Sequence, residues 1–319
     1  MVLGARLLLT AQNIEIELIH FPTMKFSIIL PVFNGADFVE RAVLSIIEQK
    51  NNNVDVELIV IDGGSKDGTV DILTRYSDHI DFMVSEPDQG QCHAINKGFA
   101  QASGDVFGWL CHDDELESGA LTHVAAIYQA HPETEVVIGA CRRIFSDKSQ
   151  AVTIVSPDVF ERIGFFNGID QPSCFWRSSL HEKCGAIDSS YRHAMDWDFW
   201  NRFARAGAHL QTTPQILSSY YFPPDSKTSA NPEANLDEAY RIIKQHGPFD
   251  GQLADAYKHI FTHFDLAGCF DKPCKAKRGK KQEFKIVMNS LKLVFGEAYI
   301  NAYNWTWISN QMRQRKWWR

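Results

Sequence analysis

The stretch VFGWLCHDDE, residues 106–115, joins an apolar run to two adjacent acids, Asp113 and Asp114. The apolar run, residues 106–110, predicts a buried strand. Ligands of open α/β sheets bind outside the carboxyl ends of the strands, which is where this acidic pair would stand. Carboxylates at that place are hard oxygen ligands that suit magnesium or manganese bound to a phosphate. The alternative is that one acid caps a helix that starts near Glu117.

Strands and helices alternate on both sides of this stretch. Runs rich in branched and aromatic side chains predict strands, and apolar residues at helical spacing predict the helices between them. The predicted strands are residues 26–30, 56–61, 82–84, 106–110 and 136–140, and the predicted helices are residues 36–49, 69–76, 91–101 and 118–130. The alternation favours the α/β class, with a mostly parallel, Rossmann-like sheet flanked by helices.

The loop after the first strand excludes two common nucleotide-binding sites. It contains PVFNGAD, residues 31–37, instead of the G-x-G-x-x-G turn of dinucleotide-binding dehydrogenases, and the chain has no Walker A loop. Asp62 follows the second strand and opens the glycine-rich turn DGGSKDG, a position suited to hydrogen-bonding a base or a ribose. We therefore expect a nucleotide site in which a metal ion, and not a glycine cradle, holds the phosphates.

The pattern changes after residue 141. The first turn of an amphipathic helix predicted at residues 196–206 carries Asp196 and Asp198. These acids either complement the helix dipole or take part in chemistry. Further predictions are irregular structure at residues 142–170, strands at 171–176 and 211–222, and helices at 233–245, 253–264, 284–294 and 298–311.

Charge and cysteine content restrict the partners and the compartment. The net charge of −7 argues against nucleic acid as the main partner. Residues 272–319 contain 12 Lys and Arg but 2 Asp and Glu, a net of +10, which leaves −17 for residues 1–271. The 7 cysteines are scattered without zinc-ligand spacing, and no apolar run approaches the roughly 20 residues that span a bilayer. This pattern is typical of a reduced, cytoplasmic protein.

The carboxyl end combines basic and aromatic residues. KPCKAKRGKK, residues 272–281, indicates a basic linker, and the chain ends in RQRKWWR, residues 313–319. Trp favours the lipid headgroup region, and each basic residue near an anionic leaflet contributes about 1 kcal/mol. Two expectations stay open, a peripheral contact with the inner face of the plasma membrane and a solvated tail. The C-terminal helices are alternatively a homodimer interface.

Five ordered motifs resemble those of the family 2 glycosyltransferases, which have the GT-A fold. They are SIILPVFNG (27–35), ELIVIDGGSKDGT (57–69), SEPDQGQCHAINKGFAQASGDVFGWL (85–110), CHDD (111–114), and QPSCFWR with AMDWDFWNRFARAG (171–177 and 194–207). The resemblance implies a GT-A domain at residues 24–230 with an added helical C-terminal region at 231–319. Residues 1–23 are then an N-terminal extension, since Met24 opens directly into a strand.

The resemblance implies a nucleotide site built from residues that match the family's motifs. These residues are Pro31, Val32, Phe33, Asp62, Asn96 and Lys97. The first three would line the base pocket, Asp62 would hydrogen-bond the base, and the last two would contact the ribose and the diphosphate.

The resemblance also implies a metal ligand and a catalytic base. The family's D-x-D element aligns with Cys111, His112 and Asp113, so Asp113 would bind a divalent manganese or magnesium ion. Cys111 replaces the first acid, and His112 is the variable middle residue beside the nucleotide. Asp196 matches the acid of the family's E-D element and would be the general base. Lys227, in the polar loop PPDSKTS, would contact phosphate.

The activity implied is that of an inverting glycosyltransferase. It would move a sugar from a nucleotide-diphosphate sugar to a hydroxyl of a glycan or lipid-linked acceptor, in bacterial cell-surface polysaccharide biosynthesis. UDP-, GDP- and dTDP-sugars are all compatible with the sequence. One alternative is a nucleotidyltransferase, whose glycine-rich, basic loop after the first strand is missing here. The other is a nucleotide-binding scaffold without catalysis, which Cys111 and the lack of a histidine in the PPDSKTS loop favour.

Overall fold

Nine strands form one mixed sheet in the computed structural model, which describes residues 4–9, 14–19, 22–222, 232–263 and 281–300. The strands are β3 (Met24–Val32), β4 (Val54–Asp62), β5 (Phe82–Ser85), β6 (Val106–Trp109), β7 (Glu115–Leu116), β8 (Val136–Phe145), β9 (Gln150–Thr153), β10 (Cys174–Arg177) and β11 (Leu210–Phe222). A separate antiparallel pair precedes them, β1 (Gly4–Leu9) and β2 (Ile14–Ile19). Lys227 and the tail at residues 313–319 lie outside the described residues.

The strand order in the sheet is β5-β4-β3-β6-β10-β8-β11-β7, and β9 pairs with β8. Strands β5, β4, β3 and β6 are parallel neighbours, as the sequence predicted for this part of the chain. Beyond β6 the sheet is mixed, because β10 is antiparallel to both β6 and β8 while β11 is parallel to β8. The carboxyl ends of the parallel strands therefore lie at one edge, where loops after β3, β4 and β6 meet.

The helices fall into two groups. The chain divides into two compact units, and the first, which contains the sheet, has the helices α1 (Val39–Ile47), α2 (Thr69–Thr74), α3 (Gln91–Phe99), α4 (Ala120–Ala130) and α6 (Ser178–Cys184). Those of the second unit are α5 (Val159–Arg162), α7 (Met195–Arg205), α8 (Pro232–His246), α9 (Gln252–His263), α10 (Lys281–Phe295) and α11 (Glu297–Ile300). Among the helices that the structure describes, none is both long and apolar enough to cross a membrane.

Neither of the two units is one continuous stretch of the chain. The first unit runs to Pro157 and also takes Ile169–Ile187 and Ala206–Phe222. The second takes Asp158–Gly168 and Asp188–Arg205 together with the C-terminal helices. Helix α7, which carries Asp196, is thus grouped with the C-terminal helices.

The core of the first unit is built on β3 and β4. Both strands are buried almost throughout, which explains the unbroken apolar runs at residues 28–32 of β3 and 58–61 of β4. Apolar residues of α1 and α4 pack on the same cluster. Fully burying one such side chain contributes about 1.5–3 kcal/mol. Representative members are Ile28, Leu30, Val43, Leu58 and Leu121.

Residues 142–170 are more regular than the sequence predicted. Strand β8 continues to Phe145 and turns into the antiparallel strand β9, and α5 follows. The prediction of irregular structure was wrong because β9 has the sequence QAVT, exposed residues without an apolar face. Helix α5 has only 4 residues, which is too short to show a helical period.

Glu57, on β4, is the centre of a buried polar network. Its carboxylate accepts hydrogen bonds from Lys25 Nζ at 2.6 Å, Ser27 Oγ at 2.5 Å and Ser103 Oγ at 2.6 Å. Burial by itself raises the pKa of Glu57, but the hydrogen bonds outweigh burial and lower the pKa from 4.5 to about 2. The ionised carboxylate is therefore favoured in the folded protein.

We expect this network to make the free energy of unfolding fall in acid. The folded-state pKa lies below the unfolded one, so the stabilisation is complete above about pH 4.5 and is lost as the pH falls towards 2. Glu57→Gln should unfold more easily at neutral pH and should lose less stability across that window. Urea denaturation at a series of pH values measures both effects. Asp55, on the same strand as Glu57, forms a surface ion pair with Lys50, and Asp55→Asn is the control. Parallel pH curves for wild type and Glu57→Gln would contradict this assignment.

Candidate active site

The glycine-rich turn after β4 holds the loop after β3 in place. Three of its side chains accept hydrogen bonds from consecutive backbone N–H groups: Ser65 Oγ from Asn34 at 2.7 Å, Thr69 Oγ1 from Gly35 at 2.9 Å and Asp67 Oδ2 from Ala36 at 3.0 Å. In return, Asn34 Oδ1 accepts a hydrogen bond from the Lys66 N–H at 3.0 Å. The S-x-D-x-T spacing thus fixes two loops at the ligand-binding edge of the sheet, which the sequence analysis did not recognise.

Asp62 organises the same turn from inside. Its buried carboxylate accepts hydrogen bonds from the N–H of Gly64 at 3.1 Å, the N–H of Ser65 at 3.0 Å and Ser85 Oγ at 2.6 Å, and it also bonds Ser65 Oγ. Gly64 has φ of +82°, a left-handed conformation that glycine adopts without strain. The sequence predicted that Asp62 hydrogen-bonds a base. In this structure the carboxylate accepts hydrogen bonds from its own loop and from Ser85, and the hydrogen bond to a base stays a prediction.

Phe33 is the exposed aromatic residue at the end of β3. Its side chain is 59% exposed, whereas Pro31 and Val32 are buried within the strand. A Cβ built on Gly63 would lie 3.2 Å from Cδ2 of Phe33 and 2.9 Å from Oδ2 of Asp88, so the three residues adjoin one another. An exposed ring beside a carboxylate provides a stacking face and a hydrogen-bond acceptor. Phe33 was predicted from the sequence, and Asp88 opens the stretch 88–97 that the resemblance placed near the ribose and the diphosphate.

Two residues expected near the diphosphate are engaged elsewhere. The amide of Asn96 donates to the Ile187 carbonyl at 2.8 Å and accepts from the Ile187 N–H at 2.9 Å. Lys97 forms an ion pair with Glu86. The Asn96 amide thus joins α3 to the segment around Ile187, and Glu86 balances the Lys97 charge. The contacts of these two residues with the ribose and the diphosphate stay predictions.

Cys111, Asp113 and Asp114 converge just after β6. One potential ligand atom from each lies within 4.8 Å of the others. Asp114 is 1% exposed and accepts a hydrogen bond from the Tyr221 N–H at 3.0 Å. Burial and then the neighbouring charge of Asp113 raise the pKa of Asp114 well above its usual range. The expected helix cap is not formed by Asp114, because α4 begins only at Ala120.

The donor atoms of this group fit a divalent metal ion. Carboxylate oxygens are the ligands that magnesium and manganese prefer, and Asp113 and Asp114 supply them. Cys111 adds a softer sulfur in place of an oxygen. The sequence offered both acids of the pair as hard ligands, and the resemblance assigned the metal to Asp113, with Cys111 in the place of the family's first acid.

Arg41, on α1, fixes the backbone of the acidic loop. Its Nη2 donates to the Asp113 carbonyl at 3.2 Å, and its Nε pairs with Glu115. Its guanidinium carbon lies 4.0 Å from the ring centre of Tyr221, within cation–π range. Nothing in the periodicity of α1 distinguishes Arg41 from an ordinary surface residue, so no sequence pattern predicted this role.

His112 lies against the loop after β3. A Cβ built on Gly35 would lie 2.5 Å from Cδ2 of His112, so only glycine leaves room for the ring. Burial lowers the pKa of His112, against the charges of Asp113 and Asp67, which raise it. His112 does not belong to the group of converging donor atoms. Its expected place beside a nucleotide stays a prediction.

Asp196 lies in the first turn of α7, within the second unit. Asp196 is partly exposed, whereas all the remaining residues from position 194 to 201 are buried. Trp197 is 6% exposed and donates its Nε1–H to the Ile163 carbonyl at 2.5 Å, so its ring belongs to the core. Asp198 is 4% exposed. Of the two acids that the sequence singled out in this turn, Asp196 is therefore the one that solvent reaches.

Comparison with known proteins identifies the family. The sequence profile of Glycosyl transferase family 2 matches residues 27–176. A PGL/p-HBAD biosynthesis glycosyltransferase of Mycobacterium tuberculosis is 31% identical over 178 residues, which cover 54% of this chain and 67% of that protein. The chain belongs to glycosyl transferase family 2.

A second relative shows how much of its own length this family 2 member covers. An uncharacterized glycosyltransferase of Rickettsia typhi is 31% identical over 192 residues, 57% of this chain and 59% of that protein. The chain therefore spans less than two thirds of that relative's length.

Solved structures confirm the GT-A fold predicted for this family 2 chain. Staphylococcus aureus TarS, residues 1–349 in complex with UDP-GlcNAc, superposes with a TM-score of 0.58 at 16% identity, covering 93% of both chains. The mannosyltransferase PcManGT of Pyrobaculum calidifontis, in complex with GDP-Man and Mn²⁺, has a TM-score of 0.55 at 18% identity, covering 91% of this chain and 84% of that one.

Proposed function

We propose that this protein is an inverting glycosyltransferase that uses a nucleotide-diphosphate sugar. The observation that carries the proposal is the convergence of Cys111, Asp113 and Asp114 at the carboxyl end of β6, in a family 2 chain with the GT-A fold. Parallel α/β sheets bind their ligands at this edge, and hard oxygen donors there suit a metal-bound diphosphate.

The first unit supplies the residues proposed to bind the donor. Phe33 would stack on the base, and the Asp88 carboxylate would accept a hydrogen bond from the base or the ribose. A divalent cation held by Asp113, beside Cys111 and Asp114, would neutralise the negative charge that develops on the departing nucleoside diphosphate. Lys227 is retained as a proposed phosphate contact on its sequence alone.

Asp196 is the proposed general base. In the reaction, the acceptor oxygen forms a bond to the anomeric carbon while the bond from that carbon to the diphosphate oxygen breaks. The hydroxyl proton passes to the Asp196 carboxylate, a contribution of typically about 10²–10⁴-fold to the rate. Attack opposite the leaving group inverts the anomeric centre. The partial exposure of Asp196 among buried neighbours supports this role.

The proposed acceptor is a glycan or lipid-linked hydroxyl in cell-surface polysaccharide biosynthesis. The mycobacterial relative, a glycosyltransferase named for PGL/p-HBAD biosynthesis, supports a role in a biosynthetic glycosyl transfer. The bound UDP-GlcNAc and GDP-Man of the two structural neighbours leave UDP- and GDP-sugars as the leading donor classes, with dTDP-sugars as a third.

We place the protein in the cytoplasm, in peripheral contact with the inner face of the plasma membrane. Helix α10 exposes three apolar side chains, Ile286, Leu293 and Val294, and the basic segment KPCKAKRGKK precedes it in the sequence. Apolar side chains next to basic ones favour binding to anionic lipid surfaces. The alternative occupant of this helix face is a second copy of the chain.

Calorimetric titration with UDP, GDP and dTDP, each with and without manganese, tests the donor site. We expect one nucleotide to bind tightly and to need the metal. Binding of no nucleotide would contradict the proposal. Metal-dependent binding without turnover of any corresponding sugar donor, measured with simple glycoside acceptors and with membrane extracts as acceptor source, would favour the non-catalytic scaffold instead.

A further inference from the structure

Helix α8 presents one polar face to the segment that leads into α7. Glu238, Arg241 and Gln245 follow one another at intervals of three and four residues, which places them on one side of the helix. Arg241 covers the ring of Tyr191, with its guanidinium carbon 3.5 Å from the ring centre, and donates to Ser190 Oγ at 3.0 Å. The Tyr191 hydroxyl donates to Gln245 Oε1 at 3.3 Å.

Glu238 binds the backbone immediately before Asp196. Its Oε1 accepts a hydrogen bond from the Arg192 N–H at 2.8 Å, and its Oε2 accepts from the N–H groups of His193 at 2.7 Å and Ala194 at 2.9 Å. The N–H groups around a helix start have no partner within the helix, and a carboxylate is a strong acceptor for them. One side chain from α8 therefore holds three consecutive residues, the last of which is two positions before Asp196.

We propose that Glu238 is a positioning residue for the catalytic base. The inference rests on the proposed role of Asp196. A base must lie within hydrogen-bond reach of the proton that it takes, so the position of the first turn of α7 sets its efficiency. Glu238 fixes that turn by binding residues 192–194, which lead into it. Arg241 and Gln245 hold residues 190 and 191, which come immediately before that segment. A glutamine at position 238 keeps only one acceptor oxygen and would direct its NH₂ group at a backbone N–H.

The proposal predicts that Glu238→Gln lowers kcat and leaves donor binding intact. We expect kcat to fall by about 10- to 100-fold, the cost of a displacement on the order of 1 Å, with the donor KM and the calorimetric nucleotide affinity unchanged. Glu238→Asp keeps the charge on a shorter side chain and should retain part of kcat. Asp237→Asn is the matched control, because this neighbour on α8 is exposed and pairs only weakly with Lys258, at 3.4 Å.

The same substitutions in an Asp196→Asn background separate positioning from stability. Glu238→Gln should cause no further fall in kcat there, since the group that it positions is gone. An equal fall in both backgrounds, or an unchanged kcat in the single variant, would overturn the proposal. Thermal unfolding checks that each variant is folded, and Glu238→Asp serves as the test if the glutamine variant is not. If Asp196→Asn itself keeps full kcat, the assignment of the base fails, whatever Glu238 does.

Discussion

Asp196→Asn is expected to lower kcat by about 10²–10⁴-fold and to leave the affinity for the donor nucleotide unchanged. Asparagine has nearly the same size as aspartate, but its amide cannot accept the proton of the acceptor hydroxyl. Asp196 is also the only partly exposed residue between positions 194 and 201, and asparagine fits the same space. The effect should therefore appear in the chemical step and not in folding.

Initial rates with saturating donor, together with calorimetric titration of the nucleotide, measure the two quantities separately. Asp198→Asn is the matched control on the same turn of α7. Its carboxylate is buried, bonds Arg202 Nε at 3.1 Å and lies 3.3 Å from His246 Nε2. Removing it should lower the melting temperature, while kcat of the folded fraction falls less than in Asp196→Asn. A larger loss of kcat in Asp198→Asn would move the proposed base to that position.

The parallel half of the sheet was predictable from sequence because burial on both faces leaves a direct mark. Strands β3 and β4 contain unbroken apolar runs at residues 28–32 and 58–61, and the structure extends each strand by only one or two residues beyond the predicted ends. The strand predicted at residues 211–222 is present as β11, but its pairing with β8 follows no local pattern, since the partner lies far away in the sequence. Such pairings are set by the closing of the whole sheet.

For the candidate site, the sequence predicted which residue types gather at the sheet edge but not their partners. Asp62 was placed at the correct edge, yet its hydrogen bonds depend on how the glycine turn folds back on it. Asn96 and Ile187 are 91 residues apart, and Ala194 and Glu238 are 44 apart. No local periodicity reports contacts over such separations, so the contacts made by Arg41, Asn96 and Glu238 became visible only in the fold.

Asp113→Asn should abolish the metal-dependent part of nucleotide binding. Asp113 is the predicted metal ligand and also belongs to the group of converging donor atoms, and neutralising it removes a carboxylate charge that attracts a divalent cation. The affinity for the preferred nucleotide in manganese should fall at least about tenfold, which corresponds to about 1.4 kcal/mol, towards the value measured without metal. Substitution by asparagine keeps the size of the side chain, and the bond from Arg41 goes to the backbone carbonyl, so the loop should keep its shape.

Titration of the variant with the nucleotide, with and without manganese, gives the result directly, and Asp196→Asn is the control that should keep the full metal effect. Two outcomes would count against the assignment. If Asp113→Asn binds the nucleotide and the metal as well as wild type does, the cation is held elsewhere. If both variants lose the metal effect equally, the metal does not distinguish the two acids, and the division of roles between Asp113 as metal ligand and Asp196 as base must be abandoned. Loss in Asp113→Asn with retention in Asp196→Asn is the pattern that two separate roles require.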